Sequence, residues 1–246
     1  MTASVNMYKE DMVGFGPIKA SQGIYEDSST AKAIVGTRIE VGDRVFRYAY
    51  AGGTALIAGT LVKAVEVPSQ VNIAVGTAAA VGTYSIPNIT TAAHAETALA
   101  GGYMVVNDVN GEGHCYRIKS SAANADTSTS TDLVLYDPLA VALTTSSQVE
   151  LYGSIYYDLD KSATVTDHIS GIPPIAVTAN YYFWLQTWGP CAALVGATTA
   201  VGDMLTPHTT DGSVCPGSVF TSNIIGFALT AGTSTEYNGI WLRIAP

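Results

Sequence analysis

Charge is what this chain has least of. Asp, Glu, Lys and Arg make up 13% of its 246 residues, about half the share usual in globular domains. The 11 Lys and Arg are outnumbered by 20 Asp and Glu, leaving a net charge of -9 and a pI near 4.7. A nucleic-acid partner needs a cationic footprint, and so thin a scatter of basic residues excludes one. Long hydrophobic runs are missing too: no stretch reaches the ~18 apolar residues of a spanning helix, which argues against a membrane partner. Cysteine is scarce. Cys115, Cys191 and Cys215 are odd in number and form no CxxC pair, which argues against a disulfide framework and predicts reduced thiols acting as small buried apolar groups. The opening MTASVNMYKEDMVG has no basic stretch leading into an apolar one. Synthesis and folding in a cytoplasm, without a secretory signal, is therefore the expectation.

Catalytic and metal-binding patterns are equally thin. There is no GxSxG elbow, P-loop or GxGxxG, so acyl-transfer and nucleotide chemistry have no sequence support. Asp108-Val109-Asn110-Gly111 imitates the start of a calcium loop, but Lys119 stands where the closing Glu would be. A hairpin turn is the better reading. His114-Cys115 with Cys191, Cys215 or His208 lacks the paired spacing of a zinc site. Asp158 and Asp160 would share one face of a strand as a carboxylate pair, but their polar surroundings point to a solvated edge. The reading is of a non-enzymatic chain with no cofactor and no metal.

What the chain does have is β pattern. Tyr181–Pro190 reads YYFWLQTWGP, with Tyr182, Trp184, Gln186 and Trp188 on one face of an extended strand and Tyr181, Phe183, Leu185 and Thr187 on the other. Apolar bulk on both faces predicts a central strand covered on both sides, stopped by Gly189-Pro190 because proline cannot donate to a ladder. Val45, Arg47 and Ala49 alternate with Phe46, Tyr48 and Tyr50 in an earlier strand. Tyr103–Val106 and His114–Ile118 flank Asn110-Gly111, a hairpin signal because both residues accept positive φ. Gly59-Thr60-Leu61-Val62 is echoed by Gly202-Asp203-Met204-Leu205, a hint of duplicated modules. The fold class expected is all-β, with β-sandwich or β-barrel-like modules, little helix and an extended N-terminal arm.

Three regions follow from composition. Residues 1–30 carry few strand signals and form the arm. Residues 31–165 form one β domain and residues 166–246 a second, the boundary falling in the polar, proline-rich stretch 158–174. Tyr8, Met12, Phe15 and Tyr25 are unusual in a free tail. They are interface candidates for an arm crossing a neighbouring subunit, the plainer reading being that the arm packs on its own domain. Trp188, beside Gly189-Pro190, is a further interface candidate, whereas Trp184 and Trp241 read as core.

The chain resembles virion structural proteins of tailed bacteriophages, of the capsid decoration or cement type. The resemblance rests on Arg44–Gly53 (RVFRYAYAGG) leading to Ala58–Val62, on Asn107–Tyr116 with Leu133–Leu139, and on Phe183–Pro190, Val201–Leu205, Ile225–Thr230 and Trp241–Ile244. It implies a non-catalytic protein on the outer surface of a phage capsid, localised to the virion, with the major capsid protein as partner. Self-association as a homo-oligomer, a trimer among the options, is implied with it. A major capsid protein would need a long helix, and none is visible. The alternative is a tail or fibre protein binding a host receptor or glycan through exposed Tyr and Trp.

Overall fold

The computed structural model of the chain describes residues 22–65, 71–91, 94, 98–123, 130–209, 211–217 and 223–246. Among them there is no helix, and every ladder between strands is antiparallel, apart from isolated parallel bridges at Ala51–Leu159 and Val195–Val214. The protein is all-β. It forms two compact units, one of residues 1–65 with 155–246 and the other of residues 66–154.

The boundary expected at residue 165 does not separate them. The first unit opens with β1 (Arg38–Val41), β2 (Arg44–Tyr50) and β3 (Val62–Ala64). The second holds β4 (Ile73–Ala74), β5 (Ser85–Thr90), β6 (Tyr103–Asp108), β7 (Cys115–Ser121), β8 (Ser130–Leu135) and β9 (Gln148–Tyr152). The chain then returns to the first unit with β10 (Leu159–Lys161), β11 (Ile169–Gly171), β12 (Tyr182–Leu194), β13 (Met204–Pro207), β14 (Val214–Pro216), β15 (Gly226–Ala228) and β16 (Tyr237–Arg243). Pairing across long sequence separations overrides the composition break. β2 lies against β12, and β3 is the middle strand between β10 and β11.

The stretch 158–174 is thus no linker but supplies β10 and β11, joined by a turn. Its polarity is consumed by an internal knot on Asp167. The carboxylate accepts from the amides of Ala163 (2.9 Å) and Thr164 (3.0 Å) and from the hydroxyls of Ser162 (3.1 Å) and Thr164 (2.8 Å), and it pairs with the Lys63 ammonium at 2.9 Å. Burial alone would raise its pKa. The two amides, the Thr164 hydroxyl and Lys63 outweigh burial and hold the carboxyl well below the usual range.

In the first unit β12 is central to a seven-stranded sheet ordered β1-β2-β12-β16-β15-β13-β14. Its two faces are covered as the alternation predicts. Trp184 packs with Ile24, Ile39, Phe46 and Tyr48, while Phe183 and Leu185 pack with Ala49, Leu56, Val62 and Leu159. Gly189-Pro190 does not end the strand, which runs on to Leu194. The Leu194 amide donates to Gly59 rather than to β16, so Leu194 and Tyr237 form a non-hydrogen-bonded pair. Alternation in that unbroken register puts Pro190 and Trp241 in another such pair, where the missing N–H is not needed. The pairing with β2 also stops at this point, at Trp188 opposite Val45. Gln186, only 2% exposed, turns its side-chain amide to the carbonyls of Trp188 (3.0 Å) and Pro190 (2.9 Å). Gly189 is required here: its φ is +90°, and a Cβ would lie 2.2 Å from the Asp43 carbonyl oxygen.

Residues 22–30 are not a free arm. Gln22 and Ile24 are buried. The Gln22 side chain accepts from the Tyr48 hydroxyl (2.6 Å) and donates to the Tyr182 carbonyl (2.9 Å), and its own carbonyl accepts from the Trp184 indole (2.9 Å). Ser28 exchanges two backbone hydrogen bonds with Tyr182. The rest of the predicted arm, with Tyr8, Met12 and Phe15, lies outside the described residues.

The second unit is a small barrel. Its six strands run β4-β9-β6-β7-β8-β5, and a bridge from Val75, just after β4, to Ile89 in β5 brings the two edges together. Sixteen apolar side chains fill it, among them Met104, Ile118, Leu133 and Val149, each fully buried. β6 and β7 form the predicted hairpin, but not through Asn110 and Gly111 both at positive φ: Val109 (φ +64°), Gly111 (φ +87°) and Gly113 (φ +83°) take the left-handed positions, and Asn110 does not.

One turn recurs. Leu56 bridges Val177, Ala79 bridges Leu143 and Thr199 bridges Gly232, each pair exchanging two backbone hydrogen bonds. Three residues after the first member of each pair stands a glycine of positive φ: Gly59, Gly82 and Gly202. The Gly59–Gly202 echo is therefore a structural likeness, with a third copy at Gly82 in the barrel.

Candidate interaction surfaces

In the first unit, the seven-stranded sheet turns Leu205, Ala228, Ile240 and Leu242 into a core. Register then places Met204, Phe227, Trp241 and Pro190 in one row across β13, β15, β16 and β12, on the face away from that core. All four are half-buried. Phe227 and Trp241 stack with centroids 6.3 Å apart, and the Arg243 guanidinium sits 5.8 Å from the Trp188 ring centre. Trp188 is half-buried, beside a cleft of about 320 Å³ that it shares with Trp241, Glu40 and Asp43. Trp184 is core as expected. Trp241 is not: its register partner Pro190 and its neighbour Phe227 set it on the outer row.

Tyr25 goes elsewhere on the same unit. It is 49% exposed, receives a hydrogen bond from Arg44 (3.1 Å) and lines a cleft of about 510 Å³ with Ile57, Pro173, Pro174, Cys191 and Tyr237. The structure therefore does not bring Tyr25 and Trp188 into one site. The Cys191 thiol at this cleft is pushed up to about 12 by burial, with Arg44 pulling weakly the other way. All three cysteines are unpaired, but none is the fully buried apolar group expected: Cys115 is exposed, and Cys191 and Cys215 are half-buried. Cys115 sits on the outer face of β7, in register with Val105.

The second unit has a surface that sequence reasoning missed. Tyr152, Tyr103 and Arg117 are cross-strand partners on β9, β6 and β7. The Tyr136 amide donates to the Arg117 carbonyl (3.0 Å), and the Arg117 guanidinium lies 5.1 Å from the Tyr136 ring centre. These four side chains form a row on the outer wall of the barrel, opposite the buried Met104, Tyr116, Ile118 and Leu151. Tyr103 and Tyr152 are each 47% exposed. Beside them lies a polar row: Glu150 accepts from the Tyr152 hydroxyl (2.9 Å) and from the Asn107 amide (3.3 Å), and Asn107 also donates to the Asn72 carbonyl oxygen (2.6 Å). The hydrogen bond to Glu150 raises the Tyr152 pKa. The available signal was alternation in YMVVND and CYRIKSS, which puts Tyr103 and Arg117 opposite the core positions of their strands.

Asp158 and Asp160 flank Leu159 on β10. Burial, then the Asp160 charge, raises the Asp158 pKa. Asp108 accepts from the Val109 amide (2.9 Å), closing the hairpin turn. Among the described residues, no three His, Cys, Asp or Glu side chains gather where they could hold a metal ion, and no helix is long and apolar enough to cross a membrane. No family model, curated protein or solved structure matches the chain.

Proposed function

We propose that the protein is a non-catalytic virion component that binds the outer surface of a phage capsid and stabilises it, as a homo-oligomer in contact with the major capsid protein. The observation that carries this reading is the row Met204–Phe227–Trp241–Pro190 with Trp188 beside it. Aromatic, Met and Arg side chains concentrated on one sheet face are the composition of a protein interface, where few charges need to be stripped of water. The low charge of the whole chain and the sequence resemblance point the same way. Stabilisation is then mechanical. Each copy binds the assembled shell and not its separated subunits, which favours assembly by mass action, and many weak contacts on a lattice add through avidity.

Cryo-electron microscopy of particles containing the protein tests this directly. Density repeating over the capsid lattice is expected, with occupancy reduced by Trp188→Ala with Trp241→Ala. Density confined to the tail would overturn the reading in favour of host recognition. Removing residues 1–21, and keeping the stitched segment from Gln22, is expected to weaken retention on capsids while leaving the β core folded. Unchanged occupancy would remove the arm from the mechanism.

A further inference from the structure

We propose that the outer wall of the barrel is a glycan-binding site built from Tyr103, Tyr152, Arg117 and Tyr136, with Glu150 and Asn107 as its hydrogen-bonding edge. Three observations carry it. First, register fixes Tyr152, Tyr103 and Arg117 in one row across three neighbouring strands, a span of two strand spacings or about 10 Å at ~4.8 Å each. Tyr136, just past β8, extends the row through its contact with Arg117, which gives the scale of a short oligosaccharide. Second, the adjacent rings of Tyr103 and Tyr152 are about half exposed although the same strands bury every alternate residue. The flat faces of such rings suit the apolar C–H face of a pyranose. Third, a hydrogen-bonding row runs alongside. Glu150 offers a carboxylate, held in place by the Tyr152 hydroxyl and the Asn107 side-chain amide. A carboxylate accepts from sugar hydroxyls, and hydroxyls ring the edge of a pyranose whose faces are apolar.

The same aromatic row would also stack nucleobases, but a chain of net charge -9 repels the phosphates that come with them. A protein partner remains the competing occupant, and the test separates it. The inference is independent of where on a particle the protein sits, so its failure and that of the capsid reading are distinguishable.

The experiment titrates the full chain by calorimetry with neutral malto-, cello-, chito- and manno-hexaose. It repeats this with Tyr103→Ala, Tyr152→Ala and Glu150→Gln, each checked by thermal melting. Saturable binding of at least one sugar is expected, weakened roughly tenfold by Tyr103→Ala with an unchanged melting temperature. Binding that survives both tyrosine substitutions would overturn the site. So would absence of binding by every sugar at about 10 mM, the weak end of useful affinity. Self-association of the wild-type chain that Tyr103→Ala abolishes, without sugar binding, would overturn it as well and assign the face to a second copy.

Discussion

The seven-stranded sheet buries both faces of β12 from Phe183 to Thr187, whereas the barrel buries one face of each strand around a single apolar cluster. The two solutions use different chemistry. In the barrel, alternation does nearly everything: apolar residues point in, and polar or aromatic residues point out. Over this part of β12 a backbone with no solvent face must still satisfy its polar groups, so buried Gln22 and Gln186, the Trp184 indole and the Tyr48 hydroxyl take over that work. Two-sided burial thus makes the first unit depend on individual polar side chains. One-sided burial makes the second depend on volume.

All three tryptophans lie in the first unit, at positions 184, 188 and 241. Intrinsic tryptophan fluorescence therefore reports on that unit alone, and circular dichroism on both. Trp184→Ala should have the largest effect, about 3–5 kcal/mol on the fluorescence-detected transition, since it opens a cavity and leaves the Gln22 carbonyl without its indole donor. Leu133→Ala should cost about 2–5 kcal/mol, seen by circular dichroism while the tryptophan transition stays in place. A tryptophan transition that shifts equally would erase the distinction between the units. Gln186→Met keeps the volume and removes two hydrogen bonds to the carbonyls of residues 188 and 190, so about 2 kcal/mol is expected from urea unfolding.

Asp167→Asn sharpens the comparison through pH. The folded pKa of Asp167 is lowered, so its contribution is complete above the unfolded value near ~3.9 and is lost as pH falls toward the folded value. Wild type should exceed the variant by about 1–2 kcal/mol at neutral pH, a gap that narrows once the pH drops below about 4. A gap that stays constant down to strong acid would show that the knot acts through shape rather than charge. Smallest in energy is a difference in reactivity. A thiol reagent at pH 8 should modify exposed Cys115 well before Cys191, whose thiolate burial suppresses. Mass spectrometry of the labelled peptides reads the order.

Much of the local structure was legible. The two-faced reading of Tyr181–Thr187 and the β6–β7 hairpin both rest on side-chain period and turn chemistry, which are local properties. The discontinuous first unit was not, because the pairing of Ala49 with Phe183 joins residues far apart in sequence and composition carries no trace of it. Gly189-Pro190 misled for a related reason. Whether a proline breaks a ladder depends on which edge its nitrogen faces, and that is decided by a partner strand nearly fifty residues further on. Of the candidate interface residues, Trp188 reached an outer face and Tyr25 a separate cleft. The Tyr103 row went unnoticed because its members come from three different strands and from the residue that follows a fourth.

The way the barrel joins the rest of the chain gives it a modular character. It leaves after β3 and returns before β10, and those two strands are direct neighbours, with Ala64 opposite Leu159 and the Val65 amide donating to the Asp158 carbonyl at 3.0 Å. The two junctions therefore lie side by side, as the ends of a hairpin do. A connection between residues 65 and 155 would keep the whole first unit, Tyr156 of its core included, and leave out the barrel, and the same junction would accept a foreign domain whose termini are close together. The barrel is in this sense a cassette, exchangeable by recombination or by design without re-engineering the sheet that carries it.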